Sequence, residues 1–123
     1  MMELLHAETT GQIIKAAYDI YNQLGYGFLE KVYQRAMQVE LLQNGLVCEC
    51  ESRILVKYKN VVVGEYFADL FVDQKVIVEL KVAKKYNAED EPQLLNELKA
   101  TGIKVGMLVN FGKTGVEYKR LVY

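Results

Sequence analysis

Two carboxylates and an amine interrupt the apolar runs of ADLFVDQKVIVELKVAKK, residues 68–85: Asp69, Glu79 and Lys81. The runs read as two strands around a polar Asp73-Gln74-Lys75 turn. Side chains alternate along a strand, so Glu79 and Lys81 share a face with Ile77, and Asp69 shares one with Phe67 and Phe71. Val76, Val78, Leu80 and Val82 form an all-aliphatic face that must be core. A three-residue loop pairs Val72 with Val76, and the same register carried back along both strands sets Asp69 opposite Glu79. A slip of one residue would send the two carboxylates to opposite faces. Like charges across a strand pair repel by about 0.2–1 kcal/mol, and by more when desolvated. A divalent cation between them removes the conflict, and ligation by oxygen alone suits a hard ion, Mg2+ or Mn2+. A plainer reading also stands: solvated carboxylates and a lysine in surface pairs on a half-exposed sheet.

The elements that must position these groups follow from periodicity. Residues 9–24 place Ile13, Ile14, Ala17, Tyr18, Tyr21 and Leu24 at helical spacing behind a threonine cap, with Gly25 as the stop. Residues 28–44 carry a second stripe, Leu29, Val32, Tyr33, Ala36, Met37 and Leu41, ended by Asn44-Gly45. Strands are expected over 52–58 and 61–72 around a two-residue Lys59-Asn60 turn, and over 76–82. Asp90-Glu91-Pro92 opens a third helix that ends at Gly102, and strands over 103–110 and 116–123 close the chain. The order is α-α-β-β-β-α-β-β, with no linker or repeat, so residues 1–123 are expected to form a single domain.

An Asp near the end of one strand, followed by Glu-x-Lys in the next, resembles the PD-(D/E)XK nuclease superfamily, here as Ala68-Asp69 and Glu79-Leu80-Lys81. Gly27-Phe28-Leu29-Glu30-Lys31-Val32-Tyr33 is similar to the pattern that names the GxxExxY protein family, a nuclease-like branch of that superfamily. PQLLNELKATGIKVGMLVNFG and YKRLV also look like that family. The resemblance implies an α/β restriction-endonuclease-like core, a central mixed sheet flanked by helices. It also implies a metal held by Asp69, Glu79 and the main-chain carbonyl of Leu80, with Glu30 completing the acidic cluster and Lys81 positioning or activating the attacking water. Such a site hydrolyses phosphodiester bonds without a nucleophilic side chain. Related exonuclease-like branches carry a Gln followed four residues later by Tyr on the next helix; this chain has Gln93 and Glu97, which read otherwise as a polar outer face opposite Leu94, Leu95 and Leu98. Lys84 and Lys85 add a local positive pair suited to a phosphate backbone, or a solvated strand end. Tyr33 falls on the apolar stripe and reads as a core aromatic.

Composition narrows the alternatives. The chain is 51% apolar and 25% charged, with a net charge of -1, so no strongly basic surface shows in the totals. No run approaches the roughly 18 apolar residues of a membrane span, and a cytoplasmic protein is expected. Cys48 and Cys50 point to one face of an extended segment and read as reduced structural thiols; with His6 the lone histidine, they lack the partners of a zinc site. No dinucleotide fingerprint or P-loop is present. Two function classes remain: a metal-dependent nuclease acting on DNA or RNA, and a catalytically silent nuclease-fold module for nucleic-acid or protein binding. Intact Asp69, Glu79 and Lys81 favour the first, and the acidic balance favours the second, or an enzyme that relies on a homo-oligomer or protein partner for substrate grip.

Overall fold

The structure, a computed structural model, describes residues 4–123. Two helices, α1 (Ala7–Leu24) and α2 (Glu30–Gln43), precede three strands, β1 (Cys48–Tyr58), β2 (Val61–Val72) and β3 (Val76–Lys81). A 3-10 turn (Ala88–Asp90) leads into α3 (Glu91–Thr101), and β4 (Val105–Phe111) and β5 (Val116–Val122) follow. The five strands form one mixed sheet in the order β1-β2-β3-β4-β5, antiparallel except for β3 and β4, which run parallel through the α3 crossover. This is the expected element order and the expected α/β architecture.

Each face of the sheet has its own core. Ile13, Ala17 and Ile20 of α1 and Tyr33, Met37 and Leu41 of α2 pack on Leu70, Val72, Val76, Val78, Leu80, Met107 and Val109. Leu94 and Leu98 of α3 cover the other face with Ile54, Ala68, Ile77, Leu108 and Leu121. Gly106 makes that approach possible: a Cβ there would stand 2.9 Å from a Leu94 methyl. The central strand β3 is consequently buried from Val76 through Leu80 on both faces, Glu79 included. The half-exposed sheet that would have hydrated Glu79 does not exist.

Several local expectations need correction. α1 starts at Ala7, behind His6 in a left-handed conformation (φ 57°), not behind a threonine cap. Thr9 and Thr10 lie inside the helix, buried, and the Thr10 hydroxyl donates to the Ala7 carbonyl at 3.1 Å. Leu29 is 78% exposed because it is the N-cap residue of α2, outside the helical stripe, and Gln34 is buried instead. Lys59 and Asn60 both take positive φ (49° and 66°), as the tight turn between β1 and β2 requires. Cys48 and Cys50 are free and share the α1/α2 side of the sheet, where burial pushes the Cys48 thiol up to about 12. Such a thiol stays protonated and unreactive.

Candidate functional site

The two strands carrying the carboxylates part company where the charges begin. β2 and β3 are paired from Val72↔Val76 through Leu70↔Val78, and the next step in that register holds Asp69 and Glu79. Asp69 does not continue the alternation expected of it. Ala68 packs on the α3 side and Leu70 on the α1/α2 side, so the chain changes face across Asp69 rather than lining it up with Phe67 and Phe71. The cause lies in β1, where Glu51 stands between the pairs Cys50↔Leu70 and Ser52↔Ala68 with a positive φ of 55°. Gln34, buried on α2, holds the irregularity by donating to the Asp69 carbonyl (2.9 Å) and to the Glu51 carboxylate (3.2 Å). Lys31 adds an exposed ion pair to Glu51 at 2.7 Å.

This kink turns the Asp69 side chain across the end of the ladder. Its Oδ2 accepts the Leu80 N–H at 2.7 Å, so a carboxylate takes the place of a strand carbonyl. Burial, reinforced by the Glu97 and Asp69 carboxyls, pushes Glu79 up to about 11. Asp69 is also raised, by burial first, with the Leu80 bond pulling the other way.

Glu30 is the first residue of α2, where the helix dipole favours a negative charge. Its entry is set by Gly27, whose φ of 112° excludes most side chains, and by Tyr33. Tyr33 is fully buried, stacks on Phe111 with centroids 4.3 Å apart, and donates its hydroxyl proton to the Gly25 carbonyl. The glycine and tyrosine of the helical motif thus hold the loop that delivers Glu30. The Glu30 carboxyl is raised, first by lost hydration and then by the Asp69 charge, with Lys81 opposing. Lys81 ends β3 beside Asn110 of β4 and acts on both Glu30 and Asp69, without a salt bridge among the described residues. Asn110, 1% exposed, bonds both the N–H and the carbonyl of Ala83 at 2.9 Å, which fixes the chain just beyond Lys81.

Glu97 corrects the expectation of a polar outer face on α3. It is 1% exposed, between Leu94 and Leu98 on the buried side, whereas Leu95 is partly exposed. Its Oε2 accepts from Gln93 at 3.2 Å, and Gln93 itself lies at the surface. The readable signal was position: Glu97 follows Leu94 by three residues, the spacing that puts two side chains on one helix face. Lys84 and Lys85 are exposed beyond β3, where the Lys84 carbonyl accepts from the Lys113 N–H. A separate groove of about 850 Å³ runs between α3 and the β1–β2 arm, with Arg53, Lys57, Tyr66, Asn96 and Lys99 among its walls.

Among the described residues no group of three or more His, Cys, Asp or Glu side chains is arranged to enclose a metal ion as it stands. The donor chemistry nevertheless suits one. Asp69 and Glu79 are oxygen donors crowded together with little water, and Glu79 Oε1 is buried with no hydrogen-bond partner. A hard divalent cation would satisfy that oxygen and relieve the repulsion.

The sequence model of the PD-(D/E)XK nuclease superfamily matches residues 7–121. The chain belongs to the PD-(D/E)XK nuclease superfamily. The Asp69 and Glu79-Leu80-Lys81 segments lie within the matched span of this nuclease-type fold. No curated protein is similar enough in sequence to match. Among solved structures, the crystal structure of SSO0001 superposes with a TM-score of 0.56 at 16% identity, over 94% of this chain and 59% of that one. That likeness is one of fold, and this nuclease-superfamily chain spans 59% of the other's length. No helix among the described residues is long and apolar enough to cross a membrane.

Proposed function

We propose that this nuclease-superfamily chain is a divalent-metal-dependent nuclease of the GxxExxY branch, a single cytoplasmic domain that hydrolyses phosphodiester bonds of DNA or RNA. The observation that supports this most is the meeting of Asp69 and Glu79, both short of water, where β2 and β3 separate beside Lys81 and Glu30. Asp69, Glu79, Glu30 and the main-chain carbonyl of Leu80 would hold Mg2+ or Mn2+. Bound there, the ion would supply a water of lowered pKa and neutralise charge developing on the phosphoryl oxygens.

The chain's own residues account for the rest. The Leu80 N–H orients the Asp69 carboxylate, and the apolar residues on both sides of β3 keep bulk water from Glu79. Lys81 carries an ammonium to the edge of this cluster, placed to stabilise negative charge on the phosphate or to orient the attacking water. Asn110 keeps the strand end from wandering. Gln93, Lys84 and Lys85 stand at the surface as substrate contacts, and a homo-oligomer or protein partner would add to a modest basic surface.

The test is cleavage of single- and double-stranded DNA and RNA by the purified chain in Mg2+ or Mn2+, beside Asp69→Ala and Lys81→Ala. Cleavage by the wild type alone supports the reading, and cleavage undiminished in both variants refutes it. One observation favours a second reading, the silent binding module: the carboxylates are not arranged to enclose an ion as they stand. Nucleic acid bound but left intact with either metal would decide for that module.

A further inference from the structure

The buried face of α3 carries a carboxylate that no apolar packing accounts for. Glu97 is 1% exposed and Glu79 is 6% exposed, and both are buried where α3 packs on the sheet. One oxygen of each, Glu97 Oε1 and Glu79 Oε1, is buried without a partner. The other Glu97 oxygen is held by Gln93 at 3.2 Å, which orients the carboxylate. Each of the two unpartnered oxygens has lost its water and gained no donor in exchange, which a folded protein rarely leaves uncompensated. A hard divalent cation takes carboxylate oxygens of this kind and would satisfy both.

We propose that Glu97 is a cation ligand supplied by α3, facing Glu79 and extending the metal-binding set from the sheet to the crossover helix, with Gln93 as its positioning residue. This inference rests on the metal reading of Asp69 and Glu79. It adds an anionic donor on the helix where the exonuclease-like pattern has tyrosine. The ligand class is a hard divalent ion, which Glu79 and Glu97 would hold from β3 and α3.

The experiment is a calorimetric titration of the metal-free chain with Mn2+ alone, at neutral pH, with Mg2+ as competitor. Wild type, Glu97→Gln, Glu97→Asp and Glu89→Gln are compared; Glu89 is exposed, in the turn before α3. Glu97→Gln is expected to weaken Mn2+ binding by about 10–100-fold, the scale on which groups around a metal site act. Glu97→Asp, which keeps the charge but draws it back, should lose at least about threefold, and Glu89→Gln should match the wild type. Melting in EDTA shows whether each variant is folded, and Glu97→Asp carries the test if Glu97→Gln is not. Unchanged Mn2+ affinity in the folded Glu97 variants, or an equal loss in Glu89→Gln, would overturn the inference while leaving the Asp69–Glu79 site standing. A wild type that binds no Mn2+ would overturn that site and this ligand together.

Discussion

Replacing Glu79 by Gln should stabilise the metal-free protein, and the gain should depend on pH. In the unfolded chain this carboxyl titrates near 4.5, but burial and its carboxylate neighbours push it up to about 11 in the fold. Below about pH 4 both states hold the proton and the site costs nothing. Above that, the unfolded chain releases its proton while the folded chain retains it, so stability falls by about 1.4 kcal/mol for each pH unit. At pH 7, which lies above the unfolded value of 4.5 and well below the folded one, the loss is about 3 kcal/mol. Gln is of nearly the same size and never ionises, and its amide can donate to the orphaned Glu97 oxygen. At roughly 3–5 °C per kcal/mol for a chain of this size, Glu79→Gln should melt about 10 °C above the wild type at pH 7 in EDTA. The two should converge at pH 4. Saturating Mn2+ should close the gap from the other side, since ligand at about 100 times its Kd adds roughly 2.7 kcal/mol to the wild type only. Circular-dichroism melts from pH 4 to pH 8 measure all of this. A Glu79→Gln variant less stable than wild type at pH 7, or a difference that ignores pH, would refute the account of Glu79 as a desolvated carboxyl.

Further outcomes follow from the same geometry. Lys81→Met should cut nucleic-acid cleavage by about 10²-fold or more while Mn2+ binding persists in calorimetry, whereas Asp69→Asn should lose both. Gln34→Ala leaves the Asp69 carbonyl and the Glu51 kink without their buried donor, so denaturant unfolding should show a loss of about 1–3 kcal/mol, with Mn2+ affinity falling as Asp69 loosens. Lys84→Ala with Lys85→Ala, at the surface beyond β3, should weaken nucleic-acid binding and lower its salt dependence by about two counterions, with Mn2+ affinity unchanged.

Much of this protein is written locally in its sequence. The 3.6-residue stripes placed both leading helices, the Lys59-Asn60 turn set the hairpin, and the short polar loop at Asp73 carried the register that brings Asp69 level with Glu79. Those features depend on neighbours in the chain, and periodicity and turn chemistry record them directly. What the sequence did not reveal depends on partners far along it. Alternation assigned Asp69 to a face, but the kink at Glu51, clamped by Gln34 from α2, put its carboxylate on the Leu80 N–H instead. The strand pattern of Glu79 and Lys81 looked half-exposed, and only the docking of α3 on that face stripped the water from Glu79. Glu97 read as part of a polar outer face because burial is decided by which element covers which. A carboxylate's hydration, and therefore its charge, is a property of the assembled layers rather than of any segment, so only the tertiary structure buried Glu79 and Glu97.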